Sequence, residues 1–93
     1  AFLEETFALK DSGGTKTLYI PRDALKRRDS VLIVDDMIKT GEEMVALIDI
    51  VHKAKAEVSG VYSLIAVGDE WQKKINLPKD CPVEVVTKLT LTQ

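Results

Sequence analysis

Apolar and polar positions change period several times along the chain. Residues 3–10 fit a short strand or a helix end, with a strand favoured over 6–10. Residues 11–15, Asp-Ser-Gly-Gly-Thr, give the clearest loop signal. Residues 16–20 have the composition and rough alternation of a second strand, so 6–20 reads as a hairpin with a flexible tip. Pro21 stops that strand. Residues 23–28 predict one helical turn with a solvated basic edge, and Asp29 and Ser30 a turn. Residues 31–34 are a continuous apolar run, the pattern of a strand buried on both faces in a parallel sheet. Met44, Leu47, Ile48, Val51 and Ala54 then fall at helical spacing, predicting a helix over 42–55. Glu42 and Glu43 in its first turn, with Lys53 and Lys55 in its last, suit the helix dipole. Residues 58–67 read as a strand ended by Gly68 and Asp69. Asp69 is placed to cap a short helix over 69–75. Pro78 and Pro82 bracket a loop, and 83–91 read as a last strand, alternating from Val86 onward.

Strand 31–34, helix 42–55 and strand 58–67 make a βαβ unit, which should be right-handed with parallel strands. The predicted class is therefore α/β: a parallel-sheet core with an N-terminal β-hairpin. Such a sheet is normally covered on both faces, yet the pattern offers only one good helix. Packing alone thus points to sequence missing upstream or to covering by another chain. The absence of an initiator Met agrees with a trimmed chain or fragment, although Met removal before Ala1 would look the same. Residues 1–93 are taken as one incomplete domain.

Composition narrows this only a little. Ninety-three residues with 45% apolar and 30% charged content fit one ordinary soluble domain. A net charge of -2 gives no nucleic-acid footprint and no polybasic membrane patch. No apolar run approaches the ~20 residues that span a bilayer. Cys81 stands alone, which leaves no disulfide framework and no Cys-based metal site. A reducing cytoplasm is the simplest location.

The chemistry gathers where the apolar strand ends. Asp35 and Asp36 are adjacent acceptor-only side chains, suited to paired hydroxyls such as those of a ribose and to assisting Mg²⁺. Capping the turn into the helix is the competing use. The loop 37–41 opens a helix, Gly41 permits close backbone approach, and Thr40 adds a hydroxyl. That suits a single phosphate. The spacing is neither that of a nucleotide-triphosphate loop nor Gly-x-Gly-x-x-Gly, so an ordinary βα loop is a strong alternative on physics alone.

The block Val-Leu-Ile-Val-Asp-Asp-Met-Ile-Lys-Thr-Gly over residues 31–41 resembles the phosphoribosyl-pyrophosphate (PRPP) signature of type I phosphoribosyltransferases. Residues 18–25, Leu-Tyr-Ile-Pro-Arg-Asp-Ala-Leu, resemble the segment after the mobile hairpin in purine-type members. Residues 56–61 resemble the family's lead into the strand after the helix. The likeness covers roughly residues 6–68. It implies that Asp35 and Asp36 hold the ribose hydroxyls. It implies that Ile38, Lys39, Thr40 and Gly41 hold the 5-phosphate, and that Mg²⁺ arrives with PRPP, assisted only indirectly by Asp35 and Asp36. The reaction implied is a glycosyl transfer for nucleotide salvage, in which a nucleobase nitrogen displaces pyrophosphate from C1. The hairpin tip at 11–16 would match the loop that closes over the reacting centre. Partners implied are PRPP, a nucleobase and a second copy in a homo-oligomer such as a dimer, with no membrane and no nucleic acid.

Several residues depart from the family pattern. Glu42 and Glu43 stand where active members carry a small residue and then Thr or Ser, and a carboxylate beside a phosphate is repulsive. Both acids also suit a first helical turn. Lys39 replaces the base-contacting acid of hypoxanthine-guanine enzymes, and a loop lysine is also seen in PRPP-sensing purine repressors. Adenine-specific members carry a catalytic Glu near Thr17, so Thr17 argues against adenine specificity of that type. Trp71 is a possible base contact, with packing as the stronger expectation. His52, Lys73 and Lys74 are expected to be solvated. The leading expectation is a C-terminal portion of a purine- or xanthine-type phosphoribosyltransferase domain, inactive and weak in PRPP binding by itself. The rivals are a non-catalytic PRPP-sensing regulatory domain and a degenerate structural fragment.

Overall fold

A computed structural model describes residues 2–10 and 12–90. Strands β1 (Phe2–Ala8) and β2 (Thr15–Pro21) form an antiparallel hairpin. A 3-10 turn (Arg22–Ala24) leads to β3 (Ser30–Ile38), α1 (Glu42–Lys53) and β4 (Glu57–Val67). A second 3-10 turn (Glu70–Lys73) precedes β5 (Val83–Leu89). The three later strands form a parallel sheet in the order β3-β4-β5. The predicted α/β class, the βαβ unit and the hairpin are all present. Asp11 of the expected loop and Leu91 of the expected last strand lie outside the described residues.

The boundary difference that matters for the site concerns β3. The apolar run predicts a strand that ends before the acids, but the ladder carries on through them. Asp35 pairs with Ser63, Met37 with Ile65 and Ile38 with Ala66. β4 is long enough, at 11 residues, to keep pairing past the apolar run. A partner strand, which a single-segment pattern does not contain, thus sets the true end of β3. The expected helix over 69–75 is shorter and is a 3-10 turn, and β1 starts at Phe2 rather than Thr6. Helix α1 ends at Lys53 because Lys55 turns left-handed (φ 63). The Lys55 N–H then donates to His52 O and the Ala56 N–H to Val51 O, which closes the helix in a Schellman motif.

The core lies between α1 and one sheet face. Ile33, Ile38, Met44, Ile48, Val51, Ala56, Val61, Ala66 and Trp71 form one buried cluster. The helical period places Met44, Ile48 and Val51 on one stripe of α1, as read from the sequence. On the other sheet face Leu32 (60% exposed), Val34 (65%), Tyr62, Leu64 and Val86 meet nothing among the described residues that buries them. One helix covers one face, as the pattern predicts. The hairpin lies along α1, with Leu3 buried. Near the end of α1, Lys53 Nζ donates to Glu4 O at 2.8 Å and pairs with Glu5 at 3.2 Å. No helix among the described residues is long and apolar enough to cross a membrane.

Candidate functional site

A cavity of about 280 Å³ opens where the end of β3, the loop into α1 and the hairpin meet. Strand β3 contributes Asp35, Met37 and Ile38, and the loop contributes Lys39, Thr40 and Gly41. Helix α1 adds Glu42 and Glu43, and the hairpin adds Lys10, Ser12 and Lys16. Five of the sequence-predicted site residues therefore meet in one place: Asp35, Ile38, Lys39, Thr40 and Gly41.

The two acids are treated differently. Both lie within β3, and their carboxyl groups stay close enough to interact directly. Asp35 is half-buried and lines the cavity, whereas Asp36 is exposed and does not line it. The Asp36 N–H also donates to Asp35 Oδ1 at 2.8 Å. Burial raises the Asp35 pKa, and the Asp36 side chain and the Glu43 charge push the same way, against the Asp36 N–H.

Helix α1 starts at Gly41, which is left-handed (φ 92) and supplies no side-chain cap. First-turn N–H groups have no intrahelical partner and attract anions. A first anion is already built in. Glu42 accepts a hydrogen bond from Lys74 Nζ on Oε1, and Lys10 Nζ lies 3.3 Å from the same oxygen. Glu70 joins the group, 3.6 Å from Lys10 and 3.7 Å from Lys74. Burial alone would raise the Glu42 pKa, but Lys74, Thr40, its own backbone and Lys10 together outweigh this and hold the carboxyl at about 2. Its Oε2 is buried without a hydrogen-bond partner among the described residues. Of the two acids that depart from the family pattern, Glu42 is the less exposed, at 16% of its side chain against 42% for Glu43. Lys74, expected on a solvated face, is pulled in to meet it. Nothing local in sequence signals this pair, since its members are 32 positions apart.

That carboxyl has a consequence for stability. A folded-state pKa of about 2 against an ordinary 4.5 means stabilisation that is complete above pH 4.5 and is lost as pH falls toward 2. Glu42→Gln is expected to lower stability by about 1–3 kcal/mol at pH 7. The gap between variant and parent should then close as pH falls from 4.5 to 2, which urea titrations at both ends check. A gap independent of pH would contradict the charge as its source.

Trp71 does not line the cavity. Its ring is 4% exposed, it belongs to the core cluster, and its indole N–H donates to Gly68 O at 2.9 Å. It works from behind the loop: a Cβ added to Gly41 would lie 3.1 Å from Trp71 Cα. Close approach is thus why residue 41 is Gly, but the neighbour is Trp71. His52 and Lys73 are exposed, as expected. Thr17 sits on the hairpin with its hydroxyl 2.8 Å from that of Thr6, away from the cavity lining. Cys81 is half-buried, and burial followed by the Asp80 charge pushes its thiol up, away from nucleophilic use. Lys16 lies in the hairpin tip expected over the reacting centre, whereas Lys10, just before it, also lines the cavity and was not singled out by the sequence.

The model of the phosphoribosyl transferase domain family matches residues 1–90. An adenine phosphoribosyltransferase of Brachyspira hyodysenteriae is 44% identical over 63 residues, which is 68% of this chain and 36% of that protein. One from Kosmotoga olearia is 46% identical over 52 residues, 56% of this chain and 31% of that protein. The crystal structure of adenine phosphoribosyltransferase from Rhodothermus marinus superposes with a TM-score of 0.81 at 37% identity, over 96% of this chain and 49% of that one. The chain thus spans about a third of these relatives' length and about half of the solved chain.

Proposed function

Because the chain belongs to the phosphoribosyl transferase domain family, we propose that its cavity is the ribose-phosphate half of a PRPP site. In the whole protein this site serves transfer of the 5-phosphoribosyl group to a purine-type base. The observation that carries the reading is the convergence of Asp35, Thr40, Gly41 and the α1 N-terminus on one cavity. First-turn N–H groups and the Thr40 hydroxyl donate to the 5-phosphate. Lys10 and Lys16 supply the positive charge that Glu42 and Glu43 offset. Asp35 and Asp36, side by side at the strand end, accept from the ribose hydroxyls. The hairpin lines one side of the cavity.

Among the described residues no three ligating side chains gather into a metal site. Two carboxylates next to the cavity fit a Mg²⁺ that arrives on the pyrophosphate and is only assisted by protein. When bound, Mg²⁺ neutralises charge on the leaving pyrophosphate. Adenine is the base named for the relatives and is the first to test. Thr17 remains the departure that speaks for another purine, although its place outside the cavity lining weakens that argument. The second reading, a PRPP-sensing domain without catalysis, draws on Glu43 in the cavity. Both readings require PRPP to bind.

Asp35→Asn is expected to weaken PRPP binding about 10-fold, since it removes a charged acceptor. Calorimetric or NMR titration in Mg²⁺ checks this, and unchanged affinity would contradict the role of Asp35. Pyrophosphate release by the whole protein with a panel of bases separates enzyme from sensor.

A further inference from the structure

Two ion pairs join the hairpin to the first turn of α1 beside the cavity: Lys10 with Glu42, and Lys16 with Glu43. They are unequal. Glu42, with 16% of its side chain exposed, is held by two lysines. Lys16 and Glu43 are 3.6 Å apart with side chains 55% and 42% exposed. A pair so exposed is worth about 0–1 kcal/mol and opens readily. Both its members line the cavity that also receives the α1 N-terminus.

A phosphate dianion in that cavity is repelled by Glu43 and attracted by Lys16. We propose that Glu43 is a built-in competitor: it holds Lys16 while the cavity is empty, and an entering phosphate ester takes Lys16 from it. The inference rests on the cavity being the phosphate site proposed above. It makes Lys16 a ligand-contacting residue, and it makes Glu43 a brake on affinity where it had read as a mark of lost function. The competing picture keeps Lys16 on Glu43 throughout, as a screen. The two differ in the sign of the coupling between the residues. If Lys16 transfers, removing Glu43 frees it, so the gain is greatest with Lys16 present. If Lys16 only screens, removing Glu43 helps most where Lys16 is absent and the carboxylate is bare.

Four proteins decide between these: the parent, Glu43→Gln, Lys16→Met and the double variant. Each is titrated with PRPP in Mg²⁺ and followed by amide NMR shifts, which also confirm that each variant is folded. Glu43→Gln is expected to tighten binding about three- to five-fold when Lys16 is present, and by less than about two-fold in the Lys16→Met background. Lys16→Met alone should weaken binding by a similar three- to five-fold factor, roughly. An equal or larger gain in the Lys16→Met background overturns the proposal. Failure of all four proteins to bind PRPP instead sinks the phosphate-site reading and this inference with it, so the two failures are distinguishable.

Discussion

Trp71→Ala is expected to destabilise the protein by about 3–5 kcal/mol, the cost of emptying a large buried aromatic site. The ring is 4% exposed among the residues that join α1 to the sheet, and its N–H is satisfied by Gly68 O. Small domains have only about 5–15 kcal/mol in hand, so the variant should approach the limit of folding. Trp71→Phe separates the contributions. It keeps most of the volume, loses the hydrogen bond, and should cost roughly 1–3 kcal/mol. Urea midpoints of the three proteins measure both. A base-contacting tryptophan behaves differently: its removal would leave stability nearly intact and change base affinity. Near-parental stability of Trp71→Ala would therefore restore the stacking role that the sequence left open.

Gly41→Ala is expected to cost about 2–4 kcal/mol, from left-handed strain together with a backbone collision. At φ 92 an L side chain is strained wherever it sits. Here the new methyl would also meet Trp71 Cα at 3.1 Å and Trp71 Cβ at 3.2 Å. A backbone atom cannot swing aside, so either the 3-10 turn at Glu70–Lys73 shifts or the start of α1 does. Gly68 is the control, with φ 67 and nothing within 4 Å of its added Cβ. Gly68→Ala should show only the conformational cost, about 1–2 kcal/mol. Equal costs at the two glycines would mean that the contact with Trp71 contributes nothing. Gly41→Ala should also disturb PRPP binding beyond its effect on stability, because residue 41 aims the first turn of α1 at the cavity.

Much of this was legible in residues 31–41. A purely apolar run, two acids, Thr and Gly fix the order strand, loop, helix, and that order puts the acids and the helix start side by side. The helical stripe of Met44, Ile48 and Val51 is a local pattern, and so was found. What escaped is non-local. The length of β3 depends on β4, which holds the ladder through Asp35 and on to Ile38. The pairing of Glu42 with Lys74 and Lys10 depends on three elements meeting at one helix end. A lysine on a short helical stretch reads as solvated unless a buried carboxylate lies opposite, and no periodicity reports that. Gly41 was recognised as a close-approach position, but the sequence does not say what approaches. The open sheet face carrying Leu32, Val34 and Leu64 was foreseen by counting helices.

The central claim is that an anionic sugar ligand sits between Asp35 and the start of α1. The most direct test is backbone amide NMR on the 93-residue chain, titrated with PRPP and Mg²⁺. Saturable shifts, weak in affinity and concentrated at Asp35, Thr40, Gly41, Glu42 and Glu43, are the expected result. No saturable shift at those amides, or saturation centred on the separate cavity beside Cys81 and His52, would contradict it.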